Sequence, residues 1–196
     1  MKIIVVTVLF VLISFIPLFS APLMINPVPL NTGGILIYLA SDVYIYSNDI
    51  NSLFTVGARY GLSDDMEIGL RLLATDFEGV MGDFKIRVLK NDPFTVTADA
   101  GIGFTAASYV FNTAFYLDTM IDDNFSIYIV ARGTYPASDI IDLAYYPAQG
   151  FQFSPRVGIE LFRTLNFSLI MEGGVVITWY SRLLDYNASA LAGIKL

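Results

Sequence analysis

The chain has 196 residues, 55% of them apolar and 15% charged, where a soluble domain carries roughly 25% charged residues. It contains neither Cys nor His, which excludes disulfides, thiolate nucleophiles, His-based catalysis and Cys/His metal sites. A net charge of −7 argues against general nucleic-acid binding.

The N-terminus reads as an export address. Lys2 supplies a positive start, Ile3 to Phe19 is apolar apart from Thr7, Ser14 and Pro17, and Ser20 and Ala21 are the first small residues after it. This pattern predicts a secretory signal peptide over residues 1–21. Its removal takes Lys2 and leaves ten basic against eighteen acidic residues. No second long apolar run follows, so any membrane crossing by the remainder uses strands. Residues 22–34 contain Pro27, Pro29, Gly33 and Gly34 and are expected to form an irregular lead-in.

The stretch Ile35 to Ser47 alternates poorly, and its faces stay unassigned. From Leu53 onward a period of two takes over. Phe54, Val56, Ala58, Tyr60 and Leu62 alternate with Thr55, Gly57, Arg59 and Gly61. Met66, Ile68, Leu70 and Leu72 alternate with Glu67, Gly69 and Arg71, and Phe84, Ile86 and Val88 with Asp83, Lys85 and Arg87. The pattern recurs in segments starting near Phe94, Phe111, Phe125, Phe153, Phe167 and Ser189. Successive strand side chains point to opposite faces, so each segment is a strand with one apolar and one polar face.

About ten strands of roughly 9–13 residues result over residues 35–196, with eight as the alternative count. Short polar turns are expected at Ser63-Asp64-Asp65, Asn91-Asp92-Pro93, Asp122-Asp123-Asn124 and Arg163-Thr164. The links between them are Asn48–Ser52, Ala74–Gly79, Ala106–Ser108, Pro136–Gly150 and Ser181–Tyr186. Short turns at one end and longer loops at the other predict an all-β, antiparallel up-and-down barrel with both termini at the short-turn end.

Charge decides which face is wet. The apolar parity carries no Asp, Glu, Lys or Arg in the clear strands. The opposite parity carries Arg59, Arg71, Lys85, Arg87, Arg132, Arg156 and Lys195 with Glu67, Asp83, Asp99, Asp118, Glu160 and Glu172. A near-balanced set on one face predicts an ion-paired lumen inside a lipid-facing wall; a soluble ligand barrel would put its charges outside. Outward aromatics gather at strand ends. Tyr60, Phe94, Phe125 and Phe167 lie by the short turns, and Phe54, Phe104, Phe111, Tyr135, Phe153 and Trp179 toward the longer loops. Two such rows are the girdles expected at the two membrane interfaces.

The stretch Gly57-Ala-Arg-Tyr-Gly-Leu-Ser-Asp-Asp-Met-Glu-Ile-Gly-Leu70 resembles a hairpin recurrent in bacterial outer-membrane β-barrel proteins. The end, Ala190 to Leu196, is similar to the C-terminal strand signal that the barrel assembly machinery reads, with Leu196 where an aromatic is usual. The resemblance implies an outer-membrane location, the lipid bilayer and the assembly machinery as partners, and no transferable functional residue. The barrel lipases, acyltransferases and proteases of that membrane resemble one another in using a catalytic His, so no enzyme is implied here. Two inward carboxylate pairs, Glu160 with Glu172 and Asp83 with Asp99, are conceivable acid–base pairs; pairing with Arg156, Lys85 or Arg87 is their structural reading. No cofactor or metal motif is present.

The fifteen-residue loop Pro136–Gly150 is the most individual feature, with Asp139, Ile140, Ile141, Asp142, Tyr145 and Tyr146. It is a candidate for partner binding, for resting on the outer leaflet, or for folding inward as a plug. Asp49, Asp76, Glu78, Asp139, Asp142 and Asp185 are expected to make the loop end negative. The functions to weigh are a narrow pore for small solutes, a non-conducting structural or adhesion barrel, and a soluble ligand-binding barrel.

Overall fold

The computed structural model describes residues 27–46, 49–73, 79–105, 109–136, 151–163, 165–178 and 184–196. The signal-peptide segment, Trp179 and the loop residues Asp139, Ile140, Ile141, Asp142, Tyr145 and Tyr146 lie outside the described residues, as do Asp76 and Glu78.

The alternating segments form ten strands: β1 (Ile35–Tyr46), β2 (Asp49–Ser63), β3 (Met66–Leu73), β4 (Gly79–Asn91), β5 (Phe94–Thr105), β6 (Tyr109–Asp122), β7 (Phe125–Pro136), β8 (Gln152–Leu161), β9 (Phe167–Thr178) and β10 (Leu184–Lys195). Each pairs antiparallel with its sequence neighbours, and β1 closes the barrel on β10 from Leu36↔Lys195 to Ile45↔Tyr186. Closure removes both sheet edges, so the ladders satisfy backbone groups that lipid could not.

Three expectations about the links change. The strands run from 8 to 15 residues rather than 9–13. The first and the last hairpin ladders at the loop end reach further than the polar residues there imply: β2 starts at Asp49, opposite Tyr46, and β10 at Leu184, opposite Ile177. Asp49 and Asp185 therefore belong to strands and not to loops. Conversely, the link after β8 is wider than Arg163-Thr164, because β8 ends at Leu161 and β9 begins at Phe167.

The faces of β1 become readable through register. Leu36 sits opposite Arg59 and Tyr38 opposite Gly57, so Leu36, Tyr38, Ala40 and Asp42 face inward. Alternation fails as a signal here because the first half of β1, Ile35 to Ala40, is apolar on both faces. Tyr38 and Tyr128 fit because each lies opposite a glycine, Gly57 and Gly158. A Cβ at either glycine would collide with the tyrosine ring.

The lead-in is not merely irregular. Pro27, Pro29 and Leu30 are buried at the short-turn end, and Leu30 belongs to the apolar cluster inside the barrel. Asn31 to Gly34 then turn the chain into β1, with Gly34 N–H donating to Asn31 O at 2.9 Å and Gly33 at φ 76°. Gly33 N–H bonds Gly61 O at 2.8 Å and Gly61 N–H bonds Gly34 O at 2.9 Å. Thr32 donates through its amide and hydroxyl to Asp64 Oδ1, at 3.0 and 2.7 Å.

Candidate functional site: the barrel interior

Apart from Asp122, which ends β6 at the short-turn rim opposite Phe125, the outward positions of the described strands carry no Asp, Glu, Lys or Arg, and they expose large apolar side chains along the wall. Leu70, Ile129 and Val157 are each about half exposed, at 55%, 54% and 55%. Tyr60, Phe94, Phe104, Phe111, Tyr135 and Phe153 are on this outward surface at strand ends, with Phe54, Phe125 and Phe167 less exposed. An uninterrupted apolar wall of this kind does not stay dispersed in water.

The inward positions hold the charge. Arg59, Glu67, Arg71, Lys85 and Arg132 are at most 1% exposed, and Asp83, Asp99, Asp118, Arg156, Glu160 and Glu172 are also buried. They fall into three groups. On the β2–β5 side, Glu67 contacts both Arg59 and Lys85, the latter at 3.3 Å. Asp83 contacts Arg59 and Arg71, and Asp99 stands 3.7 Å from Arg59. Three cations and three carboxylates thus share one network. Glu67, Lys85 and Asp99 share one cross-strand row, Arg59 and Asp83 the next and Arg71 the one after, so inward positions two residues apart stack the charges on adjacent rows.

The second group lies on β7 to β10. Arg132 Nη2 is 2.7 Å from Glu172 Oε1, which also accepts from the Tyr128 hydroxyl at 2.7 Å. Arg156 is 3.6 Å from the other oxygen of Glu172 and bonds the Ser154 and Ser189 hydroxyls at 2.8 and 3.1 Å. Tyr116 links the two groups: Lys85 stands 5.5 Å from its ring centroid and Arg132 5.8 Å. Contacts therefore run around the interior from Arg59 on β2 to Ser189 on β10.

The third group sits at the short-turn end. Arg163 reaches Asp118 at 2.7 Å, and Lys195 reaches Glu160 at 3.4 Å. Arg87 pairs with Asp65 at 2.9 Å at the rim, where Asp65 is largely exposed. Thr32 lowers the Asp64 carboxyl below the ordinary carboxylate range, its backbone N–H contributing most and its hydroxyl next.

The two conceivable acid–base pairs are not built as such. Glu172 belongs to the second group and Glu160 to the third, where Ser168 and Lys195 hold it. Asp83 and Asp99 are joined through Arg59.

Charge-based reading of the sequence misses the apolar half of the interior. Leu36, Tyr38 and Ala40 of β1, Ala114 and Tyr116 of β6, Tyr128 and Val130 of β7, Ile170 of β9, Leu191 of β10 and Leu30 of the lead-in form one buried cluster. Register is the signal that locates it: Val130 pairs with Arg156, and Ile170 with Glu160, so these apolar side chains share the inward face.

Apolar outside, charged and packed inside, closed on itself: this arrangement defines a transmembrane β-barrel. The sequence matches no protein-family model, and no curated protein. Among solved structures it is similar to the NanC porin, at 9% identity over 83% of this chain and 100% of that one, TM-score 0.46. The translocator domain of the autotransporter NalP from Neisseria meningitidis shares 9% identity over 84% of this chain and 89% of its own, TM-score 0.49. A de novo designed transmembrane β-barrel shares 12% over 86% and 99%, TM-score 0.42. The assignment rests on this chain's own register and polarity.

Proposed function

We propose that this protein is an outer-membrane barrel whose lumen is shut by its own side chains, and that it acts as a structural or partner-binding barrel. The observation that supports this reading is the burial of Arg59, Glu67, Arg71, Lys85 and Arg132 inside the wall. A water-filled channel keeps its lining charges hydrated, whereas these are held by one another. The balance of three cations and three carboxylates on the β2–β5 side leaves no net charge to draw ions through. Isolated buried charges would cost several kcal/mol each, so pairing is the condition for filling a lumen this way.

The outer membrane is the location that fits a strand-crossing wall behind an export address, with cleavage after the 1–21 segment. The C-terminal strand, with Ile194 and Leu196 outward and exposed, is the segment offered to the assembly machinery. Partner contacts then fall to the loops opposite the short turns. Planar-bilayer conductance of the heat-modifiable, folded protein tests the reading. Silence supports a closed barrel; discrete steps support the narrow solute pore instead.

A further inference from the structure

The barrel closes without the lead-in. The β1–β10 ladder begins at Leu36↔Lys195, and β1 and β2 pair from Ile35↔Tyr60. Pro27 to Gly34 lie outside these ladders, and Pro27 and Pro29 have no backbone N–H to give. The contacts that hold the segment include Leu30 in the apolar cluster, Leu30 N–H on Glu67 Oε2 at 2.7 Å, two bonds to Gly61, and Thr32 on Asp64. Two clefts flank it at the short-turn mouth, of about 390 and 420 Å³. Val28 lines both, and so do Arg87 and Arg163.

We propose that Pro27–Gly34 is a releasable strap that gates the short-turn mouth. Docked, it divides the mouth into two clefts and covers Glu67. Released, it leaves the ten-stranded wall intact, merges the clefts and admits water to the inward side chains of the lower barrel. The strap can leave because the β1–β2 and β1–β10 ladders stand without it, and its backbone meets the sheet at Gly61. It stays docked because Leu30 satisfies two partners of different kind, its side chain an apolar cluster and its N–H a buried carboxylate. Gly61 is the contact that permits this fit: a Cβ there would collide with the carbonyl oxygens of Asn31 and Leu30. The proposal rests on the closed-lumen reading, since a strap at the mouth of an open channel would leave little to gate.

The chain has no cysteine, so a single introduced thiol reports without background. Ser126 faces inward on β7, is 0% exposed and lies opposite Glu160. In folded Ser126→Cys protein in vesicles or detergent, a water-soluble maleimide should react slowly, while an Asn31→Cys control at an exposed position reacts at once. Adding Gly61→Val to Ser126→Cys should raise the labelling rate by about tenfold or more, the size expected when a local opening is favoured. The heat-dependent gel shift of a folded barrel should persist. If Gly61→Val prevents folding, Leu30→Asp, which puts a carboxylate into the apolar cluster near Glu67 and leaves every strand residue unchanged, replaces it. Labelling unchanged in folded protein with either release substitution overturns the strap. Conductance steps from the unaltered protein would instead overturn the closed-lumen reading, so the two failures are distinguishable.

Discussion

The backbone N–H of Leu30 donates to Glu67 Oε2 at 2.7 Å, and Glu67 is also the carboxylate that Arg59 and Lys85 share. One side chain therefore ties the lead-in to the centre of the charged network. Glu67→Gln keeps the shape and an acceptor oxygen but leaves two buried cations one carboxylate short. Breaking a buried pair costs about 3–5 kcal/mol. The urea midpoint of the folded barrel in vesicles should fall accordingly. Arg87→Gln, at the rim where its partner Asp65 is open to solvent, should cost about 1 kcal/mol or less. Equal losses from the two would contradict the network's burial.

Tyr38 and Gly57 pair across β1 and β2 with the ring lying over the glycine. Gly57→Ala forces the ring or the strands apart, an overpacking penalty of about 1–3 kcal/mol. Combined with Tyr38→Val, most of the penalty from the added methyl should disappear, leaving the cost of losing the ring. A double-mutant cycle measured by urea unfolding checks this coupling. Strict additivity would mean that the pair does not touch.

Ile129 projects outward from the middle of β7 and is 54% exposed. Ile129→Arg puts a charge into hydrocarbon and should cost about 2–4 kcal/mol, against about 0–1 kcal/mol for Tyr60→Arg at the girdle. Folding yields into lipid vesicles read the difference. Equal yields would displace the girdle from the membrane interface.

Asp64 lies outside the wall, and its carboxyl is held below the ordinary range by Thr32. A carboxylate whose pKa is lower in the folded protein stabilises it above the unfolded carboxyl pKa. That contribution fades as pH falls through the folded value. Acidification should therefore loosen the Thr32–Asp64 tie, and Asp64→Asn should remove the acid-sensitive part of strap docking. Maleimide labelling of Ser126→Cys, equilibrated at each pH and quantified after a neutral pulse too brief for the strap to redock, separates the two proteins. An unchanged acid dependence in Asp64→Asn would place the tie elsewhere.

Strand direction, count and wall polarity were legible in the sequence wherever one face was charged, as in Met66–Leu73 with Glu67 and Arg71 opposed to Ile68 and Leu70. The reading failed where both faces are apolar. In β1, Leu36 and Tyr38 look no different from Ile35 and Ile37, and the register to β2 separates them. The same blindness hid Val130 and Ile170, which break a polar face with apolar residues that pack inside. Partner choice within the network was also beyond the sequence. Asp83 takes Arg71 from the adjacent strand and Arg59 from two strands away, reaching across Gly69, a pairing that no spacing along the chain reveals. Pro27 and Pro29 marked the lead-in as irregular, but nothing local showed that it enters the barrel, since that depends on Gly61 and Glu67 some thirty or more residues later.

A spin-label scan along β7 tests most directly that the barrel spans lipid with a closed interior. Single cysteines at Ile127, Ile129 and Ala131 face outward, and at Ser126, Tyr128 and Val130 inward. Oxygen collisions should follow a period of two, peaking at the outward positions. The inward positions should be shielded from a water-soluble nickel relaxant. Inward labels as accessible to nickel as those of an open channel, or oxygen contact without the period, would contradict a closed, lipid-spanning barrel.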